Sequence, residues 1–480
     1  MTQRNDKPVL IVGAGPAGLV AAITLARYGV ASLVIEKRRD TSPFPRATGI
    51  STRSMEIFRS WGLESAVRSG EMDVATTGWM CTSLADPTGV AVSVGFPSKA
   101  EALAVSPTSP AATPQDKLEP VLLGHLREYG VADIRFGTEL VALDTDDREA
   151  TAVIRTAGST TTVRCSYVIG ADGAHSLVRA GLGIAMQGPG ELGDHLAVLF
   201  RAPLATVVAG RRHGLYMIQQ SAPVEVFVPT GDGDRWLYSR SWDPAAGECS
   251  AAQATNLIRA GAGVADLPVR ILRIGSFTFA AQVAERYRRG RGFLVGDAAH
   301  RITPRGGTGM NTAIHDAYDL AWKLGWVLRG WAPASLLDSY QEERLPVGVR
   351  NAMNSALAGR PDPAAFANDL GGRLPHRWQP RTGRSTLDLL GPGLTVLTGP
   401  DGAAWRAAAD RCDGGTDLPI AVHRVDDVAA FGIGPDGAVL VRPDGRITER
   451  WDTAPLDVAG VLRDGLLSAA GGRPLTITHA

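Results

Sequence analysis

The chain has 480 residues, 44% of them hydrophobic, which is enough for more than one compact domain and unlike a disordered chain. Its 49 Lys and Arg balance 49 Asp and Glu, so no charge excess draws nucleic acid or an anionic membrane surface. With 56 Gly and 30 Pro the chain is turn-rich, and neither a coiled-coil nor a collagen period is visible.

Pro8-Val-Leu-Ile-Val12 reads as a buried strand. Gly13-Ala-Gly15-Pro-Ala-Gly18 follows, and Leu19, Ala22, Ile23 and Ala26 recur at helical spacing as far as Gly29. Ala31 to Ile35 is a second strand ending at Glu36, which completes a βαβ unit. This reading accounts for the longest apolar stretch, Pro8 to Val30, better than a signal peptide or a membrane span does. Ser51 or Thr52 caps a helix running to Gly62, residues 72–114 read as irregular and surface-facing, and another helix covers Gln115 to Tyr129. Glu139–Leu143, Ala152–Arg155 and Thr161–Gly170 read as strands, the last two joined at Gly158-Ser159.

Alternating apolar and polar residues over 190–284 predict an antiparallel sheet with one face covered. Phe293-Leu-Val295 is a short strand ending in Gly296-Asp297, and a helix spans Thr308 to Arg329. A Pro- and Gly-rich stretch near 359–384 reads as a linker, beyond which Leu394–Leu397 and Ala438–Val441 suggest a small α/β module. Cys81, Cys165, Cys249 and Cys412 lie far apart with no metal-ligand spacing, so no metal and no disulfide framework are expected, and a cytoplasmic setting fits.

The chemistry concentrates in three places. Gly13 allows a tight turn, Gly15 lets a pyrophosphate approach the backbone, and Gly18 lets helix and strand pack, while Glu36 is placed to accept from an adenosine ribose. Val168-Ile-Gly170-Ala-Asp172-Gly173 and Gly296-Asp297-Ala-Ala-His300 each put an Asp-bearing turn straight after a strand. The second leads through Thr303-Pro304-Arg-Gly306-Gly307-Thr-Gly309-Met310-Asn311 into a helix, whose N-terminus suits the negative charge of a reduced flavin.

Together these segments resemble the FAD-dependent aromatic hydroxylases, the class A flavoprotein monooxygenases of the para-hydroxybenzoate hydroxylase fold, over roughly residues 8–350. The resemblance implies that Gly13, Gly15, Gly18 and Glu36 hold the ADP half of FAD, with Pro16, Ala17, Lys37 and Leu140 in the same cofactor set. It implies that Arg46 and Gln115 meet the cofactor near the pyrophosphate and ribityl chain, that Asp297 meets the ribityl hydroxyls, and that Pro304, Gly307, Gly309, Met310 and Asn311 lie beside the flavin ring. Asp172 is associated with both FAD and nicotinamide handling. The implied reaction consumes NADPH or NADH and O₂ and hydroxylates an aromatic or polyketide-like molecule through a flavin C4a-hydroperoxide. Baeyer–Villiger oxygenation, epoxidation, or a flavin-bound protein that transfers no oxygen are the alternatives. No Trp-x-Trp-x-Ile-Pro segment marks a flavin halogenase.

The expected fold is α/β: a Rossmann-type FAD-binding domain (1–75, 101–189, 285–350), an inserted antiparallel substrate domain (76–100, 190–284), a linker (351–384) and a thioredoxin-like C-terminal domain (385–480). That last domain carries no redox cysteine pair. With one nucleotide fingerprint, the nicotinamide cofactor is expected to dock transiently in a shared cleft of a monomer or homodimer. Tyr216, Met217, Phe227 and Trp236 are candidates for a substrate wall, although such residues at strand spacing serve cores more often. Arg46 and Arg305 are the weak catalytic candidates, and Arg305 is either a cationic neighbour of flavin or substrate or a solvated loop residue. His213 reads as a solvent-facing turn residue and His300 as a residue holding the loop after Asp297. Thr303 stands where the resemblance has a proline, which puts the rigidity of that loop in question.

Overall fold

The computed structural model describes residues 8–219, 223–231, 233–357, 362, 364–411 and 418–471; Cys412 lies outside them. β1 (Val9–Val12) leads through the glycine turn into α1 (Pro16–Arg27), and β2 (Ser32–Glu36) returns parallel to β1 with Ile11 opposite Val34. Every residue of both strands is buried, as a sheet covered on two faces requires. Pro16 sits at the start of α1, where its missing N–H costs nothing, and Gly29 at φ +68° ends the turn after it.

α2 (Thr52–Ser60) begins at Ser51, whose hydroxyl accepts from the Ser54 amide. After α3 (Glu64–Arg68) come β3 (Ala75–Cys81), β4 (Val90–Ser93) and α4 (Lys99–Val105). The stretch read as irregular is therefore substantially ordered. β3 and β4 form one edge of the large sheet, and their partly exposed, Thr- and Gly-containing sequence hides the strand signal. α5 (Gln115–Glu128) is followed by β5 (Ala132–Phe136), parallel to β2, and by the three-stranded sheet of β6 (Thr138–Thr145), β7 (Ala150–Thr156) and β8 (Ser159–Cys165).

The run read as one strand, 161–170, breaks at Ser166. β8 stays in the small sheet with an exposed, polar face, while β9 (Tyr167–Gly170) is wholly buried beside β1. Polar alternation gives way there to a continuous apolar run, which marks the change of sheet.

α6 (Leu177–Gly181) precedes β10 (Met186–Arg201), which after α7 (Leu204–Val208), β11 (His213–Ile218), β12 (Glu225–Pro229), β13 (Arg235–Ser241) and α8 (Ala251–Ala262) is paired by β14 (Arg270–Ala284). With β17 (His300–Arg301) these build an eight-stranded sheet in the order β17-β14-β10-β13-β12-β11-β3-β4. β15 (Arg288–Arg289) and β16 (Gly292–Leu294) extend the first sheet, whose order is β15-β16-β9-β1-β2-β5. α9 (Gly309–Leu328) packs on α1, and α10 (Asp338–Ala356) packs on α9.

After α11 (Ala365–Leu370) the chain forms β18 (Leu394–Thr398), α12 (Ala403–Arg411), β19 (Ile420–Arg424), β20 (Ala438–Val441), β21 (Ile447–Trp451) and α13 (Val458–Ala469). The order β19-β18-β20-β21, with β18 parallel to β19 and antiparallel to β20, is that of a thioredoxin-like sheet. This module docks through buried charge. Arg442 donates to both oxygens of Glu343 at 2.7 and 2.8 Å, and Lys323 donates to Asp319 at 2.8 Å and Glu343 at 3.0 Å. The described part of the stretch read as a linker is packed as well: Arg373 binds Glu56, and Asp369 accepts from the Arg53 amide.

Candidate functional site

The three glycines of the first turn have separate physical jobs. Gly13 adopts φ +107°, and a Cβ there would lie 2.3 Å from the Ala171 oxygen. A Cβ on Gly18 would lie 1.9 Å from the Gly13 oxygen, so both glycines are needed to pack the turn. Gly15 is different. Its backbone (φ −78°, ψ −175°) suits any residue, and a Cβ would meet nothing within 4 Å. The space before Gly15, at the N-terminus of α1, is a cradle that side chains leave clear.

At the end of β2, Glu36 is buried; it accepts from the Ala14 amide at 3.0 Å and from the Arg38 amide and Nε, both at 2.9 Å. Burial opposes its ionised form, but the Arg38 guanidinium and the two amides outweigh that and hold the carboxyl below its ordinary range. Lys37, next along, is exposed, whereas Leu140 is buried in the core. Gln115 starts α5, where its amide donates to the Ala47 oxygen at 2.8 Å and its side chain to Glu119 at 2.7 Å. This ties α5 to the loop carrying Arg46.

The turn of Asp297 abuts α1. A Cβ on Gly296 would lie 2.9 Å from that of Ala313 in α9 and 3.4 Å from that of Ala17 in α1. Asp297 is open to solvent yet crowded by protein atoms, and its carboxylate has no hydrogen-bond partner among the described residues. Burial pushes its carboxyl up, opposed by the neighbouring His300 and by the guanidiniums of Arg46 and Arg301. Asp172, by contrast, is turned inward. It accepts from Ser176 Oγ at 2.5 Å and from the Leu177 and Val178 amides at 2.7 and 3.1 Å, capping α6. Arg179 then joins the two turns, donating to the Ala174 oxygen at 2.9 Å and the Ala298 oxygen at 3.0 Å.

The loop before α9 is fastened on both sides. Asn311 is buried; its Oδ1 accepts from the Ser51 amide and the Ser54 hydroxyl, and its Nδ2 donates to the Gly49 and Gly307 oxygens. Thr303 holds the loop that a proline was expected to stiffen, donating to the Ser355 oxygen at 2.8 Å while its amide donates to Ser355 Oγ at 3.1 Å. Pro304, Arg305 and Gly306 are exposed, Gly307, Gly309 and Met310 half-buried. Phe96 lies against Gly49 and Gly307, where a Cβ would come within 2.7 and 2.8 Å of its ring. Behind the loop, His300 Nε2 and Asp316 Oδ2 are 2.6 Å apart and Arg344 Nε donates to Asp316 Oδ1 at 2.7 Å, all three on buried or largely buried side chains. His300 is thus built into the frame that carries Asp297.

The large sheet supplies a wall. Its far face buries Tyr216, Phe227, Trp236 and Tyr238, which pack on one another and on Ile258 of α8. Three of the candidates for a substrate wall are therefore core residues, because strand alternation turns them away from the loop before α9. Met217 has the opposite parity and shares its face with half-buried Met80, Leu215, Val226, Val228 and Leu237. This face looks toward the first sheet's loops: Arg273 lies over the Phe44 ring and Arg305 over the Phe279 ring, each guanidinium about 5.6 Å from the ring centroid. His213 is no turn residue. It opens β11, half-buried, stacked on Trp79 at 5.0 Å and bonded to Thr77 Oγ1 through Nδ1.

The glycine cradle, Glu36, Arg46 and the open Asp297 thus line neighbouring loop ends beside an apolar wall. The family model described as "FAD binding domain" matches residues 6–355, and that of "Aromatic-ring hydroxylase, C-terminal" matches residues 367–472. The chain belongs to the FAD-dependent aromatic-ring hydroxylases. It is 36% identical to tetracenomycin A2 monooxygenase-dioxygenase of Streptomyces glaucescens over 98% of each chain, and 36% identical to aklavinone 12-hydroxylase RdmE of Streptomyces purpurascens over 96% of this chain and 98% of that one. A solved structure of aklavinone-11 hydroxylase with FAD and aklavinone superposes with a TM-score of 0.88 at 32% identity, covering 98% of this chain and 100% of that one. The chain is accordingly an FAD-dependent monooxygenase that uses O₂ and a reduced nicotinamide cofactor.

As a hydroxylase of this family it also has residues near the site that the sequence did not single out. Arg38 covers Glu36, and His195 and Phe279 stand on the wall; none belongs to a recognisable spacing. A cavity of about 810 Å³ borders the Arg305–Thr308 loop on its way to α10, α11 and the turn at Asp444, and is lined by polar side chains such as Arg350, Asn351 and Asp369. Among the described residues no helix is long and apolar enough to cross a membrane.

Proposed function

We propose that this hydroxylase oxygenates an aromatic polyketide held between the flavin and the cleft face of the large sheet. The observation that carries the reading is the convergence of the open Gly15 cradle and the unpartnered Asp297 carboxylate, brought together where Gly296 packs on Ala17. Gly15 and the α1 amides would receive the pyrophosphate, Glu36 the adenosine ribose and Asp297 the ribityl hydroxyls. Arg46 would stand near the pyrophosphate and offset the Asp297 charge. The residues fit FAD, which when bound supplies the activated oxygen.

This chain's part is to orient and to exclude water. Met80, Leu215, Met217, Val226, Val228 and Leu237 offer no hydrogen-bonding side-chain N or O atoms, so a flat aromatic body packs there and displaces water from the reacting face. Thr303, Asn311 and Phe96 keep the loop before α9 in one position, where the N-terminus of that helix would favour the negative charge of reduced FAD.

The test is to add tetracenomycin A2 and aklavinone to the FAD-loaded protein with NADPH under labelled O₂. Stimulated NADPH oxidation with one ¹⁸O atom in the product supports the reading. Label entering from water instead, or no stimulation by any aromatic polyketide, overturns it.

A further inference from the structure

On the cleft face of β10 the imidazole of His195 lies flat on Phe279, with centroids 3.7 Å apart and planes at 11°, and Phe277 is 5.6 Å away. The Arg305 guanidinium lies over the same Phe279 ring. Stacking thus fixes the imidazole without using its nitrogens, and neither has a hydrogen-bond partner among the described residues, although the side chain is only half-buried. Other histidines spend a nitrogen on a neighbour: His300 on Asp316, His213 on Thr77, His376 on Ser385.

The charged groups that act on His195 are Arg305, from the loop before α9, and Asp194, which takes the opposite face of the same strand and accepts from Thr278 Oγ1 at 2.6 Å. Burial, then Arg305, pulls the imidazole below its ordinary range against Asp194, so the ring is neutral near pH 7 and keeps a free lone pair. An electrophilic oxygen attacks an aromatic carbon more readily once a ring hydroxyl has ionised, so a neutral imidazole beside a guanidinium is chemically suited to this cleft.

We propose that His195 accepts the hydroxyl proton of the aromatic substrate and that Arg305 faces the oxyanion so formed, an assignment that rests on the aromatic-substrate reading above. The substrate O–H bond breaks, an N–H bond forms on the imidazole, and the electron pair stays on oxygen as a phenolate. Nothing is oxidised or reduced in the step.

The test uses the FAD-loaded enzyme and alizarin, a hydroxyanthraquinone whose visible absorption reports ionisation of its ring hydroxyl. Wild type, His195→Phe and His195→Gln are titrated with the dye across pH, and flavin content per chain is read alongside; where the phenylalanine variant loses flavin, the glutamine variant decides. Bound dye should ionise about one pH unit lower on wild type than on either variant, a tenfold change in the ionisation constant. The same ionisation pH on all three overturns the assignment while leaving the cleft reading intact. Failure of wild type to bind the dye at any pH overturns the cleft reading and the assignment with it.

Discussion

The turn after β9 and the turn after β16 look alike in sequence, each a buried strand followed by a small residue and an aspartate. In the folded chain they do opposite work. Asp172 is enclosed by three donors from Ser176, Leu177 and Val178, whereas Asp297 has no partner among the described residues and faces the cleft. What separates them is the residues that follow. Ser176 starts a helix whose free amides claim the first carboxylate, and Ala298 and Ala299 offer nothing to claim the second. A carboxylate bound by the protein's own donors serves the fold; one that no protein donor claims is left free for a ligand.

The contrast can be pushed until it breaks. The largest effect is expected from Gly15→Val, since the added isopropyl group fills only the empty cradle: the protein should purify folded, with unchanged circular dichroism, and without yellow colour. Normal flavin content would remove the cradle from the cofactor site. Asp297→Ala comes next. It should weaken FAD binding by about 10- to 100-fold, through loss of acceptors worth about 1–3 kcal/mol, measured by flavin fluorescence after dialysis. Asp172→Ala should instead cost about 0.5–2 kcal/mol of folding stability in denaturant titration, as loss of a cap does.

The smallest effect lies in pH. The Asp297 carboxyl is raised in the folded chain, so the folded state resists its ionisation; this cost is absent below the unfolded pKa, grows from there, and is complete above the folded value. FAD-free Asp297→Ala should therefore melt slightly above FAD-free wild type at pH 8, and the gap should close by pH 3. A gap of the same size at both pH values would mean that charge is not what distinguishes the two turns.

Much of this was legible because it is local. The βαβ unit, the Ser51 cap and α9 follow from hydrophobic period and helix signals within short windows, and the strand–turn placement of Asp297 is a pattern of a few residues. The break at Ser166 was hidden because two strands of different sheets abut in sequence with a single residue between them. The β3–β4 edge was hidden because a sheet edge tolerates the Thr, Gly and Pro that signal loops. The wall was only half readable. Alternation separates Tyr216 from Met217, but only the tertiary pairing with α8 says which parity is core. His195 and Arg305 meet at Phe279 from segments more than a hundred residues apart, and no spacing rule joins them.

The docking of the C-terminal module has a practical consequence. Lys323 and Glu343 belong to the helices α9 and α10, yet Arg442 and Arg446 from the C-terminal module complete their ion set. A shortened protein ending near residue 384 would keep the lysine and its two acids but lose Arg442 and Arg446, both paired with Glu343, and would open that carboxylate to solvent. Grafting this catalytic half onto another tail would therefore require the recipient to bring a matching cation, or both acids to be replaced at the seam.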